Sequence, residues 1–89
     1  MTARETFVRD LVAWLNARLA PPGVRIEATT LLFARGILNS IKILELIAWT
    51  ERVTGRVVPD AQIRLDNFAT PQRIADVFVK DGEAADVAA

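Results

Sequence analysis

Apolar residues recur at helical spacing in three stretches of this 89-residue chain, and turn residues separate the stretches. The first stretch predicts a helix over about residues 3–19. Thr2 and Glu5 have the spacing of a capping box at its start, and a Pro-Pro-Gly sequence at residues 21–23 marks its end. Trp14 belongs to the apolar pattern of this helix, so we expect its ring in the core.

Two further helices and a short helical turn follow. The second helix is predicted over about residues 40–53, with Asn39 as its N-cap. Residues 61–67 have enough apolar side chains for one short helical turn. The last helix is predicted over about residues 71–80, where a threonine followed by a proline supplies the N-cap and the first helical position.

A long connection joins the first two helices. Residues 20–38 have no clear periodicity but are too apolar for a free linker, and we expect Leu32 and Phe33 to pack onto the helices. The chain is therefore predicted to be all-α, a small four-helix bundle of three long helices and one short helix. Residues 1–80 form this single domain, and residues 81–89 are predicted to be a flexible, acidic C-terminal tail.

The second helix is apolar around most of its circumference, so the side that faces the core has to be inferred. A step of about 100° per residue groups four apolar residues on one side, which we predict to be buried: Ile43, Leu44, Ile47 and Ala48, with Ile41 and Leu46 at the margins. The opposite, charged stripe holds Lys42, Glu45 and Arg52. Trp49 falls within that stripe. Its ring either lies over neighbouring side-chain stems or forms an anchor for a partner protein.

The chain contains no cysteine and no histidine. The first absence excludes disulfides, a thiolate nucleophile and thiolate metal sites, and the second removes the usual general base near neutral pH. A Ser-His-Asp arrangement is therefore impossible within this chain, and no two carboxylates have a spacing typical of acid–base catalysis. A domain this small also lacks room for both a core and a deep active site. We therefore do not expect an enzyme.

Charge is unevenly placed along the chain, although the formal net charge is zero. Residues 1–80 carry eleven basic and eight acidic side chains, a net charge of +3, but the excess is scattered. A nucleic-acid interface needs basic side chains gathered on one face, so none is expected. No apolar run approaches the ~18 residues of a membrane-spanning helix, and Arg9 and Asp10 interrupt the N-terminal apolar segment, unlike a signal peptide. We expect a cytoplasmic monomer without membrane insertion.

Ser40 is the only serine of the chain and lies in the first turn of the predicted second helix. The N-terminus of a helix offers unpaired N–H groups and a partial positive charge, which suits a phosphate-bearing group. A serine at this position is also common for structural reasons alone. The physical chemistry of the sequence therefore leaves Ser40 as either a structural residue or a site of chemistry.

The residues around Ser40 resemble the attachment motif of acyl and peptidyl carrier proteins. In that family a run of Gly, a hydrophobic residue, Asp, Ser and Leu opens the second helix of a four-helix bundle, and this chain has Gly-Ile-Leu-Asn-Ser-Ile at residues 36–41. The similarity continues through later features: Glu51, Gly55, Val58-Pro59-Asp60, and Thr70-Pro71 with Ile74. It covers about residues 5–80, nearly the whole chain.

The resemblance implies that Ser40 carries a covalent 4′-phosphopantetheine arm, transferred from coenzyme A by a phosphopantetheinyl transferase. The thiol of the arm holds an acyl or aminoacyl group as a thioester, so the carrier itself needs neither histidine nor cysteine. The implied partners are the transferase, a ligase that loads the cargo, and a downstream acyltransferase or synthase. Asn39 caps the helix beside the attachment site. The implied partner-binding residues are Ile41, Lys42, Glu45 and Trp49.

Two features depart from the family pattern. Asn39 replaces the usual Asp, which keeps the capping oxygen but loses a negative charge beside the serine. The second helix is not strongly acidic, because Lys42 and Arg52 accompany Glu45 and Glu51, so partners with basic surfaces are not expected. The extra residue in Gly-Ile-Leu-Asn-Ser is closer to stand-alone D-alanyl and other aminoacyl carriers, with fatty-acid or polyketide carriers as the main rival. The alternative to any carrier is an unmodified carrier-like helical module that acts by helix docking only.

Overall fold

Three α-helices and two 3-10 turns make up the protein in a computed structural model that describes residues 2–79. The elements are α1 (Ala3–Arg18), α2 (Lys42–Thr54), 3-10 turns at Asp60–Gln62 and Leu65–Phe68, and α3 (Pro71–Phe78). No strand occurs among the described residues, so the all-α prediction is confirmed for them. The predicted tail at residues 81–89 lies outside the described residues.

Helix boundaries agree with the predicted ones where a local cap sets them. At the start of α1, Thr2 Oγ1 accepts a hydrogen bond from the Glu5 N–H (3.1 Å), and Glu5 Oε1 accepts one from the Thr2 N–H (3.0 Å), which completes the capping box. At α3, Thr70 Oγ1 accepts from the Arg73 N–H (3.0 Å). Gly55 ends α2 with a φ of 72°, a left-handed conformation that glycine adopts without steric cost.

The segment after α2 differs from the prediction. The single short helix expected over residues 61–67 is two separate 3-10 turns, because Ile63 has a ψ of 81° and interrupts the helical backbone. The last helix ends at Phe78, after only eight residues, because Val79 is extended. The described residues therefore contain two long α-helices where three were predicted.

The connection between α1 and α2 is tied to the helices on both sides. Asn16 of α1 clasps Ile26, since its Nδ2 donates to the Ile26 carbonyl (2.9 Å) and its Oδ1 accepts from the Ile26 N–H (2.8 Å). Further along, the Leu32 N–H donates to the carbonyl of Ala69, just before α3 (2.8 Å). These bonds satisfy backbone groups that would otherwise lack partners when the connection packs down. The connection is therefore a fixed part of the fold.

One core takes side chains from all three α-helices and from the connection. Its buried apolar residues are Phe7, Leu11, Leu15, Leu19, Ile26, Leu32, Ile37, Leu38, Ile43, Leu46, Ile47, Trp49, Val58, Phe68, Ile74 and Ala75. Leu32 is fully buried and Phe33 packs against the core, as predicted. α1 packs most closely on α3, and an ion pair between Arg4 and Asp76 (3.1 Å) joins the two helices at the surface.

The buried side of α2 differs from the side that the sequence predicted to face the core. The two are related by a rotation of roughly 100° about the helix axis, or about one residue step. The buried residues of α2 are Ile43, Leu46, Ile47, Trp49 and Thr50. Leu44 and Ala48, predicted to be buried, are exposed. The observed rotation buries an indole, which removes more apolar surface from water than burial of Leu44 would.

Candidate functional site

Asn39 builds the N-terminus of α2. Its Oδ1 accepts hydrogen bonds from the N–H groups of Ile41 (2.9 Å) and Lys42 (2.8 Å), and its carbonyl accepts one from the Ile43 N–H (3.0 Å). This is the hydrogen-bond pattern of an N-cap, so the first turn begins at Ser40 although the regular helix starts at Lys42. The Asn39 side chain thus caps the turn that leads into α2, and the helix itself starts two residues later than predicted, at Lys42.

Ser40 lies at the surface between this cap and the body of α2. Its hydroxyl has no hydrogen-bond partner within residues 2–79. The structural role that the sequence left open for Ser40 therefore belongs to Asn39. A solvent-exposed hydroxyl with no bond to the protein is accessible to an enzyme that modifies it.

The backbone donors of the first turn are already in use. Asn39 takes the N–H groups of Ile41 and Lys42, and the next two N–H groups bond to backbone carbonyls. A phosphate on Ser40 would therefore be stabilised by the positive end of the helix dipole and not by direct hydrogen bonds from these N–H groups. The site fits an attached 4′-phosphopantetheine in access and charge, but it offers none of these four N–H groups to the phosphate.

The residues predicted to bind partners include an exposed apolar pair. Ile41 is 74% exposed and its neighbour on the same side of α2, Leu44, is 64% exposed. Glu45 lies farther along the helix, where its Oε1 is 3.2 Å from Nη2 of Arg18 in α1. Lys42 is half-buried. The surface beside Ser40 thus combines apolar side chains with a cation.

Trp49 does not belong to this exposed surface. Its ring is only 7% exposed, packs against Phe7 (ring centroids 5.3 Å apart) and stacks on Trp14 (5.6 Å, 26° between planes). Both predicted alternatives, a ring lying over neighbouring side-chain stems and an anchor for a partner, are wrong, because α1 covers the Trp49 ring. Trp49 is a core residue and presents no anchor to a partner. Trp14, predicted to be core, is half-buried.

The structure also brings together residues that the sequence did not connect. Trp14 and Arg18 of α1 face three residues of α2 across an open groove of about 430 Å³, the α2 residues being Glu45, Ala48 and Arg52. The spacing of the α2 residues does place them on one helical stripe. Their juxtaposition with α1 depends on the rotation of both helices, which the sequence pattern did not determine.

A second groove, of about 260 Å³, lies between the connection and the second 3-10 turn. It is lined by Leu31, Phe33, Ala34, Leu65, Asp66 and Ala69. Leu31 and Leu65 remain more than half exposed on its rim. The sequence pattern did not predict this exposed apolar edge.

No protein-family model matches the chain, and no curated protein matches it significantly. Within residues 2–79, no three metal-ligating side chains are grouped where they could hold a metal ion. No helix in that part of the chain has the length and apolar character needed to cross a bilayer. The candidate functional site is therefore the start of α2 and its surroundings.

Proposed function

We propose that this chain is a discrete carrier protein that holds an acyl or aminoacyl group as a thioester on a 4′-phosphopantetheine arm attached to Ser40. The observation that carries the proposal is the exposed, unbonded Ser40 hydroxyl at the start of α2, where Asn39 already supplies the cap. The motif at residues 36–41 and the later motifs resemble carrier proteins in order and spacing. The corresponding fold is a carrier-type four-helix bundle, with the two 3-10 turns in place of its short helix.

Attachment of the arm is a transfer from coenzyme A to the Ser40 hydroxyl. The serine oxygen forms a bond to the phosphorus that bears the pantetheine, the bond from that phosphorus to the bridging pyrophosphate oxygen breaks, and adenosine 3′,5′-bisphosphate leaves. The hydroxyl proton passes to a base of the transferase, since this chain has no histidine. Once attached, the arm supplies the thiol that holds the cargo.

The chain's own residues present Ser40 and do not catalyse a reaction. Asn39 fixes the first turn, and the exposed side chains of Ile41 and Leu44 offer apolar contact beside the serine. Catalysis comes from the proposed partners: the phosphopantetheinyl transferase, a loading ligase, and an acyltransferase or synthase. In this proposal the carrier acts as a cytoplasmic monomer.

An unmodified helical module that acts by docking only is the second candidate. Asn39 favours it, because an amide stands where carriers have a carboxylate beside the serine. The exposed apolar pair, Ile41 and Leu44, would serve helix docking whether or not Ser40 is modified.

Intact-protein mass spectrometry after incubation with coenzyme A and a broad-specificity transferase separates the two candidates. A carrier gains the mass of one phosphopantetheinyl group, and Ser40→Ala gains none. Thr29→Ala is the matched control, because it removes an exposed hydroxyl from the connection and should leave modification intact. No mass gain with several transferases would reject the carrier and favour the docking module.

A further inference from the structure

Some charged side chains of α2 have ion-pair or hydrogen-bond partners within the described residues, and others have none. Glu45 forms an ion pair with Arg18 (3.2 Å), and Glu51 accepts a hydrogen bond from a backbone N–H (2.8 Å). The side chains of Lys42 and Arg52 have no ion-pair or hydrogen-bond partner among the described residues. The charge that α2 keeps available for a partner is therefore positive.

Arg52 lies in the groove between α1 and α2, with Arg18 on the α1 side. The half-buried ring of Trp14 and the methyl group of Ala48 give the groove apolar lining, and Glu45 is the one carboxylate among the five lining residues. Two guanidinium groups thus accompany one carboxylate, which leaves the groove with a net positive charge. The planar fork of a guanidinium pairs with carboxylates in bidentate geometry.

A stripe of side chains on α2 runs from this groove to the start of the helix beside Ser40. Ile41, Glu45, Ala48 and Arg52 fall on one stripe, because steps of four, three and four residues return to the same side of a helix. The stripe is about 17 Å long at 1.5 Å per residue. It is apolar and exposed at its Ile41 end and cationic at its Arg52 end.

We propose that this stripe and groove dock an acidic amphipathic helix of the enzyme that acts on Ser40. Such a helix places apolar side chains on Ile41 and Leu44 and a carboxylate on Arg52, the guanidinium of the groove that has no partner. The partner helix then matches both the charge and the apolar area of this surface. A small anion would leave the apolar end uncovered. A second copy of this chain would bring the same cations to the surface and be repelled.

That the partner is an enzyme serving Ser40 rests on the proposed function. The charge and shape of the surface are independent of it, and the test uses the full, unmodified chain. Two synthetic helical peptides serve as probes, and both have leucine and alanine on one face. The opposite face carries glutamate in the acidic peptide and lysine in the lysine peptide. Trp14, in the groove, and Trp49, stacked on it, report binding by fluorescence.

The acidic peptide should bind with a Kd on the order of 100 μM, because the stripe and groove present far fewer residues than the roughly 20–30 on each side of a standard protein interface. Binding should weaken as salt rises, and the lysine peptide should bind at least about tenfold more weakly. Arg52→Glu should weaken binding of the acidic peptide by about tenfold. Arg25→Glu makes the same charge change at an exposed position in the connection and should have little effect.

Three outcomes would overturn the proposal. These are equal binding of the two peptides, equal losses from Arg52→Glu and Arg25→Glu, or no binding of the acidic peptide at about 1 mM. Displacement of the peptide by inorganic phosphate at comparable concentration would instead identify a small-anion site, which also rejects a docked helix. Circular dichroism of each variant shows that it remains folded.

The failure of this proposal is distinguishable from that of the proposed function. Ser40→Ala should bind the acidic peptide as the unchanged chain does, because Ser40 contributes neither charge nor apolar area to the stripe. Peptide binding without modification by any transferase would reject the carrier and retain the docking surface. Modification of Ser40 without peptide binding would reject the docking surface alone.

Discussion

The two sides of α2 are similarly apolar, yet one forms the core and the other faces solvent. The buried side presents Ile43, Leu46, Ile47 and Trp49, and the exposed side presents Ile41, Leu44 and Ala48. What differs is the surface that each side meets. Phe7 and Trp14 of α1 pack against Trp49, whereas none of the described elements covers Ile41 or Leu44.

This difference shows that apolar content alone does not decide which side of a helix is buried. The side with the larger ring is covered by α1, because burial of aromatic surface contributes most per residue. The apolar residues left outside are concentrated beside Ser40. For the proposed carrier, these exposed side chains beside the serine would supply the apolar contact with partner enzymes.

Trp49→Ala gives the largest expected effect and tests the buried side directly. Loss of the ring leaves a cavity against Phe7 and Trp14, so the free energy of unfolding should fall by about 3–5 kcal/mol. The matched change on the exposed side, Leu44→Ala, should alter it by no more than about 0.5 kcal/mol. Urea denaturation followed by circular dichroism measures both. Similar losses for the two variants would show that the two sides are not distinguished by burial.

Asn16→Ala tests how the connection completes the buried side. The clasp holds Ile26, whose side chain lies in the same core, and its loss leaves partly buried backbone groups of Ile26 without partners. We expect a loss of about 1–3 kcal/mol in the free energy of unfolding. Arg25→Ala, which alters an exposed neighbour outside the clasp, is the control. Equal effects from the two variants would mean that the clasp adds nothing to stability.

Asn39→Ala tests the side-chain cap at the start of α2, next to the exposed residue Ile41. Removal of Oδ1 leaves the Ile41 and Lys42 N–H groups uncapped, so we expect a loss of about 0.5–2 kcal/mol by thermal melting. Asn39→Asp keeps the cap and adds a negative charge at the helix N-terminus, worth about 0.3–1 kcal/mol. The same Asp variant should be modified faster by a phosphopantetheinyl transferase. An unchanged or slower rate would remove the argument that the missing carboxylate limits modification.

Ser40→Ala has the smallest expected effect on folding. Because the hydroxyl is exposed and unbonded, the free energy of unfolding should change by no more than about 0.5 kcal/mol. The variant should nevertheless show no mass gain with coenzyme A and a transferase. A clearly destabilised Ser40→Ala would show that the serine has a structural role that Asn39 does not replace.

The parts of the fold that were predicted correctly depend on short-range interactions. The capping box at Thr2, the N-cap at Asn39 and the glycine end of α2 each involve residues within a few positions of one another. The start of α3 was predictable for the same reason. The two 3-10 turns were merged into one predicted helix, because a single change in backbone angle at Ile63 leaves little trace in the apolar pattern.

The sequence by itself determined the helical class, the caps and the position of Ser40 directly after the Asn39 cap, since these follow from local spacing and hydrogen-bonding capacity. Only the tertiary structure decided which side of α2 is buried, because several rotations of an apolar helix satisfy its own pattern equally well. The packing of Phe7 and Trp14 of α1 against Trp49 selects one of these rotations, and α1 is distant from α2 in the sequence. The same choice brings Arg18 opposite Arg52 and leaves Ile41 exposed beside the serine.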